Sequence, residues 1–292
     1  MIRIISDSTC DLSPELAKQY NIRILPLNIV LDGKSYEDGR DITPDAIYAW
    51  ADENKKVPKT AACAPGRAKE LFERYLSRGD EIICFAISSG MSSTYDIMRA
   101  VARETGGEER ISVIDSRSLS TGVGLLVITA AEMAMQGMSR AEIVEKVEQI
   151  IPRVSASFVV DTLTYLHRGG RCGGVAALLG TTLRLHPRIN VLEGKMQPGQ
   201  KYRGRMSRLI ADYVQDQREE MLRADKRHVF VTHSGCDQKV IDAAVEQVKN
   251  LDYFDEVHIT RAGGVISSHC GYGTLGVLYI RGEQAVQSGM QH

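Results

Sequence analysis

The alternation of short apolar runs with amphipathic segments is the feature that most constrains the fold of this chain. Residues 2–5 predict a strand, and Ser13-Pro14 then predicts the start of a helix, because serine caps a helix and proline suits its first turn. The same order recurs at residues 81–84 and 111–114, each followed by helical segments. This rhythm predicts an α/β fold with a mostly parallel sheet that is covered by helices on both faces.

The densest group of hydroxyl side chains follows one of these strands, where residues 85–95 read Phe-Ala-Ile-Ser-Ser-Gly-Met-Ser-Ser-Thr-Tyr. In open α/β sheets, ligands bind beyond the carboxyl ends of the strands, and the free N–H groups of the next helix attract anions. Hydroxyl groups add neutral donors for an anionic oxygen. The alternative is that these serines only cap the helix. From this segment alone both interpretations stay open.

The pattern changes near residues 152–155, which we take as a domain boundary. Beyond it we expect strands at 157–160, 228–232, 256–260 and 275–280, a hairpin around Glu193-Gly194, and a helix of small residues over 174–185. The sequence therefore predicts two domains, an N-terminal α/β domain over residues 1–154 and a C-terminal α/β domain over residues 155–292.

Two further segments carry side chains suited to binding an anion. The first is a glycine-dense stretch, residues 263–273, which we expect to be a loop between two strands and which contains His269. His269 would donate to a carboxylate or phosphate or act as a general base, unless it is simply a histidine bonded within its own loop. The second feature is a pair of arginine clusters, 168–171 and 203–205. Arginine suits bidentate phosphate contacts, although a solvated basic surface is an equally good interpretation.

Composition and missing motifs exclude several function classes. The net charge of -1 argues against broad nucleic-acid binding, and no apolar run approaches the length of a membrane span. The six cysteines are scattered, so neither a zinc site nor a disulfide framework is expected, and a reducing cytoplasm suits them. No secretory signal is visible at the N-terminus. There is no nucleophile elbow, no Walker loop, no dinucleotide fingerprint and no metal-binding motif, so we expect no catalytic residue, no metal and no cofactor.

Several motifs, in order along nearly the whole chain, resemble those of the DegV family of fatty-acid-binding proteins. They are Ser6-Asp7-Ser8-Thr9-Cys10-Asp11-Leu12, Pro26-Leu27, Asp32-Gly33-Lys34-Ser35-Tyr36, Asp38-Gly39, Lys59-Thr60, Pro65-Gly66, Ser88-Ser89-Gly90-Met91-Ser92-Ser93-Thr94-Tyr95, Asp115-Ser116, Tyr165-Leu166, Arg168-Gly169-Gly170-Arg171, Arg203-Gly204-Arg205 and the His269 segment.

The resemblance implies a two-domain α/β fold with a long-chain fatty acid bound between the domains. By position, Thr60 and Ser92 would bind the carboxylate, with Ser89 nearby and His269 completing the head-group site. Arg168, Arg171, Arg203 and Arg205 match the family's basic patch, which is implicated in the acyl-phosphate product or in docking a partner. In bacteria that have a fatty acid kinase, such proteins present the acyl chain to that kinase, which phosphorylates the carboxylate. The resemblance also allows peripheral membrane contact during ligand exchange.

The chain departs from the family pattern beside the head group. Residues 61–64, which follow Thr60, are Ala-Ala-Cys-Ala where the family has Ser-Gln-Pro-Ser, and Ser93 replaces a glycine. The segment around His269 also varies the family's Thr-His-Thr-Gly-Pro sequence. Thr60, Ser92 and His269 themselves are retained, so we expect altered loop shape rather than a lost site.

Two other functions compete with lipid binding. One is a serine-dependent hydrolase or phosphotransferase that uses Ser89 or Ser92 with His269 on a lipid-like substrate. The other is a DNA-associated regulator acting through the arginine clusters, which the near-neutral charge and the lack of a recognisable helix-turn-helix disfavour.

Overall fold

A computed structural model describes residues 1–174 and 185–283. The described strands form three sheets, and helices pack on them. The predicted helix over 174–185 falls on residues 175–184, outside the described residues. The strands are β1 (Ile2–Asp7), β2 (Arg23–Leu25), β3 (Asn28–Leu31), β4 (Lys34–Glu37), β5 (Lys59–Ala61), β6 (Glu81–Ala86), β7 (Ile111–Asp115), β8 (Val154–Val159), β9 (Leu185–Leu192), β10 (Lys195–Arg203), β11 (His228–His233), β12 (Glu256–Arg261) and β13 (Leu275–Ile280).

Helices lie between many of these strands along the chain. They are α1 (Pro14–Gln19), α2 (Pro44–Asn54), α3 (Pro65–Leu76), α4 (Thr94–Glu104), α5 (Thr121–Met135), α6 (Arg140–Ile150), α7 (Thr164–Gly169), α8 (Met206–Gln215), α9 (Arg218–Met221), α10 (Gln238–Lys249) and α11 (Gly264–Cys270). Ser13 and Thr43 each accept a hydrogen bond from a backbone N–H in the first turn of α1 and α2, and each is followed by proline. The predicted starts of both helices are therefore confirmed.

The first half of the chain contains the parallel sheet that the strand-helix rhythm predicts. Its strands follow the order β2-β1-β6-β7, and all three pairings are parallel. In β6, Ile82 and Cys84 pack in the same apolar cluster as α3 and α4, whereas Ile83 and Phe85 pack with α5 and α6. Helices thus cover both faces of the sheet, which explains why β6 is apolar throughout.

The apolar pattern of residues 22–31 predicts one strand, but the chain divides there into β2 and β3. Pro26 separates the two, and a proline has no N–H with which to continue a ladder. β2 stays in the parallel sheet, while β3 joins a three-stranded antiparallel sheet in the order β4-β3-β5. In that sheet Thr60 on β5 lies opposite Ile29 on β3.

The second half of the chain forms a six-stranded mixed sheet in the order β10-β9-β8-β13-β11-β12. Among its described pairings only that of β11 with β12 is parallel, and β13, the last described strand, lies between β8 and β11. The predicted hairpin around Glu193-Gly194 is confirmed as the β9–β10 turn. Both turn residues have positive φ, 50° and 78°, as in a type I′ turn.

Helix α5 lies between the two large sheets. It contacts β1 and β6 on one side and β8, β11 and β13 on the other, and its residues are buried from Thr121 to Ala131. This double burial explains why its sequence is apolar all round rather than amphipathic. In the described part of the chain, no helix combines the length and apolarity needed to cross a bilayer.

We expect Leu126→Ala to lower the free energy of unfolding by about 3 kcal/mol, because the residue is 0% exposed in α5 and the truncation leaves a cavity. Urea denaturation followed by circular dichroism measures the change. Met135→Ala is the matched control, since Met135 is 72% exposed at the end of the same helix and its truncation should cost less than about 0.5 kcal/mol. Equal losses in the two variants would contradict the central packing of α5.

Candidate functional site

A cavity of about 300 Å³ lies where residues from both halves of the chain meet. The first half contributes the apolar residues Leu27, Ile87, Met91 and Leu119, and the second half contributes Phe158, Leu166, Met196, Val265, Ile266 and Leu278. Polar side chains also line it, among them Thr60, Ser92, Arg171 and His269. The structure therefore brings together four of the residues that the sequence predicts for the site.

Thr60 and His269 are in direct contact. The Oγ1 atom of Thr60 lies 2.8 Å from Nε2 of His269, although 209 positions separate the residues in the sequence. The other ring nitrogen, Nδ1, is buried and has no hydrogen-bond partner among the described residues. It faces Gly169, where a Cβ atom would lie 2.5 Å from Nδ1, so only glycine leaves room for the imidazole here.

His269 lies on helix α11, so the prediction of a loop over residues 263–273 is wrong at this point. The structure shows what stabilises this short helix. The carboxylate of Asp11 accepts a hydrogen bond from the N–H of Gly263 (2.8 Å), and that of Asp38 accepts from Gly264 (2.8 Å) and Val265 (3.3 Å). Two carboxylates at the start of the helix thus satisfy N–H groups that have no partner within it.

A third buried carboxylate holds the start of the serine-rich segment. Asp7 accepts from the N–H of Ile87 (2.8 Å) and from the N–H and hydroxyl groups of Thr9 (2.9 and 2.5 Å). Burial raises the pKa of Asp7 to about 6 and also raises the pKa of Asp11 and of Asp38. None of the three lines the cavity. They fix the backbone around it instead, so the strand-end carboxylates act as caps.

The serines of residues 88–93 have different surroundings. Ser92 lines the cavity, and its Oγ accepts from the N–H of Thr94 (3.3 Å) and lies 2.9 Å from the Thr94 hydroxyl. Ser88 is buried and donates to the carbonyl oxygen of Gly194 (2.7 Å), which ties the segment to the β9–β10 turn. A Cβ on Gly194 would lie 2.6 Å from the Ser88 hydroxyl, so this approach also requires glycine.

Ser89 lies outside the cavity. It is exposed, its hydroxyl donates to the carboxylate of Asp115 (2.5 Å), and its N–H donates to the same carboxylate (3.0 Å). Ser89 is therefore not among the residues that line the cavity, because its side chain points to Asp115.

Of the four arginines, only Arg171 lines the cavity among the described residues. It is exposed, and its guanidinium donates to the carbonyl oxygen of Gly169 (2.6 Å). Arg168 at the end of α7 is exposed, as are Arg203 at the end of β10 and Arg205 before α8. The structure thus separates one arginine at the cavity from three on the surface.

His269 is neutral at pH 7. Burial, followed by the positive charge of Arg171, lowers the pKa of His269 to about 4. In the described residues its hydrogen bond goes to Thr60, and none joins it to Ser89 or Ser92. The nucleophile-base pair that a serine hydrolase needs is therefore not formed.

The sequence matches the model of a protein family over residues 1–282, and the family is described as "Uncharacterised protein, DegV family". A DegV domain-containing protein of Caldanaerobacter subterraneus is 34% identical over 282 residues, which cover 95% of this chain and 98% of that protein.

Two solved structures share the fold. A DegV family protein from Thermus thermophilus, described as binding fatty acid, has a TM-score of 0.88 at 30% identity and covers 96% of this chain and 99% of its own. A stearic acid-binding protein from Eubacterium ventriosum has a TM-score of 0.83 at 26% identity, with 98% and 100% of the two chains covered. Because both the family model and this degree of similarity extend over nearly the whole sequence, the chain belongs to the DegV family.

Proposed function

We propose that this protein binds a long-chain fatty acid in the cavity, with the carboxylate at Thr60, Ser92 and His269. The observation that carries the proposal is a largely apolar cavity with these neutral polar side chains in its wall. The fatty acids described for the relatives from Thermus thermophilus and Eubacterium ventriosum support it. Burial of the acyl chain would contribute about 0.8 kcal/mol for each CH₂ group, so the tail supplies much of the affinity.

The hydrogen bonds among these side chains explain how neutral groups would bind a carboxylate, which can only accept. We assign the imidazole proton of His269 to Nε2, so that it donates to Thr60 and leaves the Thr60 hydroxyl proton for the ligand. His269 then acts on the carboxylate through Thr60, because its one proton is already donated. We likewise assign Ser92 as the acceptor from both the N–H and the hydroxyl of Thr94, so that it keeps its own proton for the ligand. Each hydroxyl is thereby held by the protein and still donates to the ligand.

Arg171 contributes positive charge without being buried. Its guanidinium lies at the cavity and is near enough to His269 to lower the pKa of that imidazole. An exposed cation attracts the carboxylate and loses little hydration when the ligand binds. A buried cation would be left without a partner whenever the ligand was absent, which is costly. The hydroxyl groups of Thr60 and Ser92 and the imidazole of His269 are uncharged, so they carry no such cost.

We further propose that the protein is a non-catalytic subunit of the cytoplasm that presents the acid to a partner fatty acid kinase. The description of the relative from Thermus thermophilus as a fatty-acid-binding protein supports a role in binding. Arg168, Arg203 and Arg205 are the proposed contacts for the kinase or for the phosphate of the product. The two proposed domains are residues 1–154 and 155–292, and the six-stranded sheet, whose first strand starts at Val154, supports that boundary.

The first test is the affinity for oleate of delipidated protein, measured by isothermal titration. Thr60→Val and Ser92→Ala each remove one donor to the carboxylate, and such a bond contributes roughly 1.5 to 3 kcal/mol, so each should weaken binding about tenfold or more. Ser89→Ala is the matched control, since it changes a serine of the same segment outside the cavity, and it should bind normally. Unchanged affinity in the Thr60→Val/Ser92→Ala double variant would refute the site. Native mass spectrometry of the purified protein should also show a bound fatty acid.

The second test is an NMR titration of the His269 imidazole in the ligand-free protein. We expect a pKa near 4, and Arg171→Gln should raise it because a nearby positive charge is removed. Arg168→Gln is the control and should leave it unchanged.

The same shift makes stability depend on pH. An unfolded histidine takes up a proton near pH 6.5, whereas the native His269 does so only near pH 4, so acidification favours the unfolded state between these values. Relative to His269→Gln, the wild-type protein should lose up to about 3 kcal/mol over that range. A native pKa close to 6.5 would contradict the assigned burial of the imidazole.

The third test separates an acyl-presenting subunit from an enzyme. Protein loaded with oleate and given Mg²⁺ and ATP should form acyl phosphate only when a purified bacterial fatty acid kinase is added. Arg203→Gln combined with Arg205→Gln should slow that reaction without changing the affinity for oleate, because neither residue lines the cavity. Acyl phosphate formed by this chain alone would show that it is an enzyme.

A further inference from the structure

A cluster of imidazole and carboxylate groups lies where β11 and β12 begin. This is the opposite end of β11 from the cavity. His228 is the first residue of β11, and Glu256 and His258 are the first and third residues of β12. The last residue of β11, His233, lines the cavity. At about 3.3 Å per residue, five steps along the strand place the cluster roughly 16 Å from that end.

Three potential ligand atoms converge in this cluster. Nδ1 of His228 lies 3.1 Å from Nε2 of His258, and Oε2 of Glu256 lies 3.3 Å from the His258 nitrogen and 3.9 Å from the His228 nitrogen. The point equidistant from all three atoms lies about 2.0 Å from each, which is the length of zinc–nitrogen and zinc–oxygen bonds. An ion displaced slightly from their plane would leave room for a fourth ligand.

The surroundings fix the two imidazole rings. Nε2 of His228 lies 2.9 Å from Oε1 of Glu132, and the other oxygen of that carboxylate accepts from Arg227 at 3.0 Å. The ring of His258 stacks on Phe230, with centroids 4.6 Å apart. A carboxylate that accepts the second ring N–H of a histidine is the usual outer partner of a metal ligand, because it selects the tautomer and orients the ring.

These contacts also determine where the ring protons lie. With the Nε2 proton of His228 directed at Glu132, Nδ1 of His228 carries a lone pair that points at His258. The proton on Nε2 of His258 is therefore shared between Nδ1 of His228 and Oε2 of Glu256. For a metal ion to bind, that proton would move to Nδ1 of the same ring by exchange with water, so that all three atoms offer lone pairs to the ion.

We propose that His228, Glu256 and His258 form a binding site for a divalent transition-metal ion of the zinc class, with one coordination position left for water. Two imidazoles and one carboxylate suit Zn²⁺, whereas Ca²⁺ and Mg²⁺ require more oxygen ligands. The ion enters from the side of Glu256, which is 48% exposed, while the side chains of His228 and His258 are only 6% and 10% exposed. Bound metal would tie the edge strand β12 to β11 and, through Glu132, to helix α5.

The test uses tag-free full-length protein that has been treated with EDTA and dialysed. We expect titration with Zn²⁺ to show one saturable site per chain and to raise the thermal midpoint. Co²⁺ should give visible absorption bands of tetrahedral intensity without the thiolate charge-transfer band that cysteine ligands would produce. Glu132→Gln, which changes only the outer partner, should weaken Zn²⁺ binding by about 10- to 100-fold.

Two variants test whether the metal binds at His228, Glu256 and His258. His258→Asn removes one ligand and should abolish saturable binding, whereas His167→Asn changes an exposed histidine outside the cluster and should bind Zn²⁺ normally. Glu256→Gln, on the exposed side of the cluster, provides the same test if His258→Asn does not fold as judged by circular dichroism. The proposal is overturned if the wild-type protein shows no saturable Zn²⁺ binding. It is also overturned if a folded ligand variant keeps the wild-type affinity and Co²⁺ spectrum.

Discussion

The hydrogen bonds from Asp11 and Asp38 to the start of α11 are the interactions on which the rest of the site depends. Both carboxylates belong to the first half of the chain, and the N–H groups from which they accept hydrogen bonds belong to the second. Desolvation opposes their ionisation, which is why their pKa values are raised, yet the charge is directed at helix N–H groups that need acceptors. These bonds place His269 beside Thr60 and close the cavity from one side.

In the proposed fatty-acid site, mostly neutral groups would hold the charged carboxylate. A buried cation would strengthen the attraction for a carboxylate, but it would remain without a partner whenever the cavity was empty. Hydroxyl groups and a neutral imidazole avoid that cost, because they bond to each other and to backbone groups in the empty protein. Affinity is thereby shifted toward the acyl chain, which is consistent with a protein that must also release its ligand.

Local sequence patterns predict much of this fold but little of the geometry of the site. The helix starts at Ser13 and Thr43, the parallel sheet and the Glu193-Gly194 turn follow from capping, periodicity and turn chemistry, each of which acts over a few residues. That Thr60 and His269 meet was implied by family resemblance, because no local rule joins positions so far apart.

The wrong prediction of a loop over residues 263–273 has the same origin, which is contact between residues far apart in the sequence. The glycines around His269 predict a loop, and only the distant Asp11 and Asp38 make the segment helical. Ser89 and Ser92 look equivalent in the sequence, but Asp115 from the neighbouring strand binds Ser89 and draws it away from the cavity.

The position of β13 has a consequence for how the protein is made. This strand is the last of the described strands, yet it lies in the interior of the six-stranded sheet and also covers α5. On the ribosome, β8 and β11 therefore emerge long before the strand that separates them, and the apolar surface of α5 stays uncovered until residue 280 is available. The six-stranded sheet therefore closes late in synthesis, and a product that ends before β13 lacks the strand that joins β8 to β11.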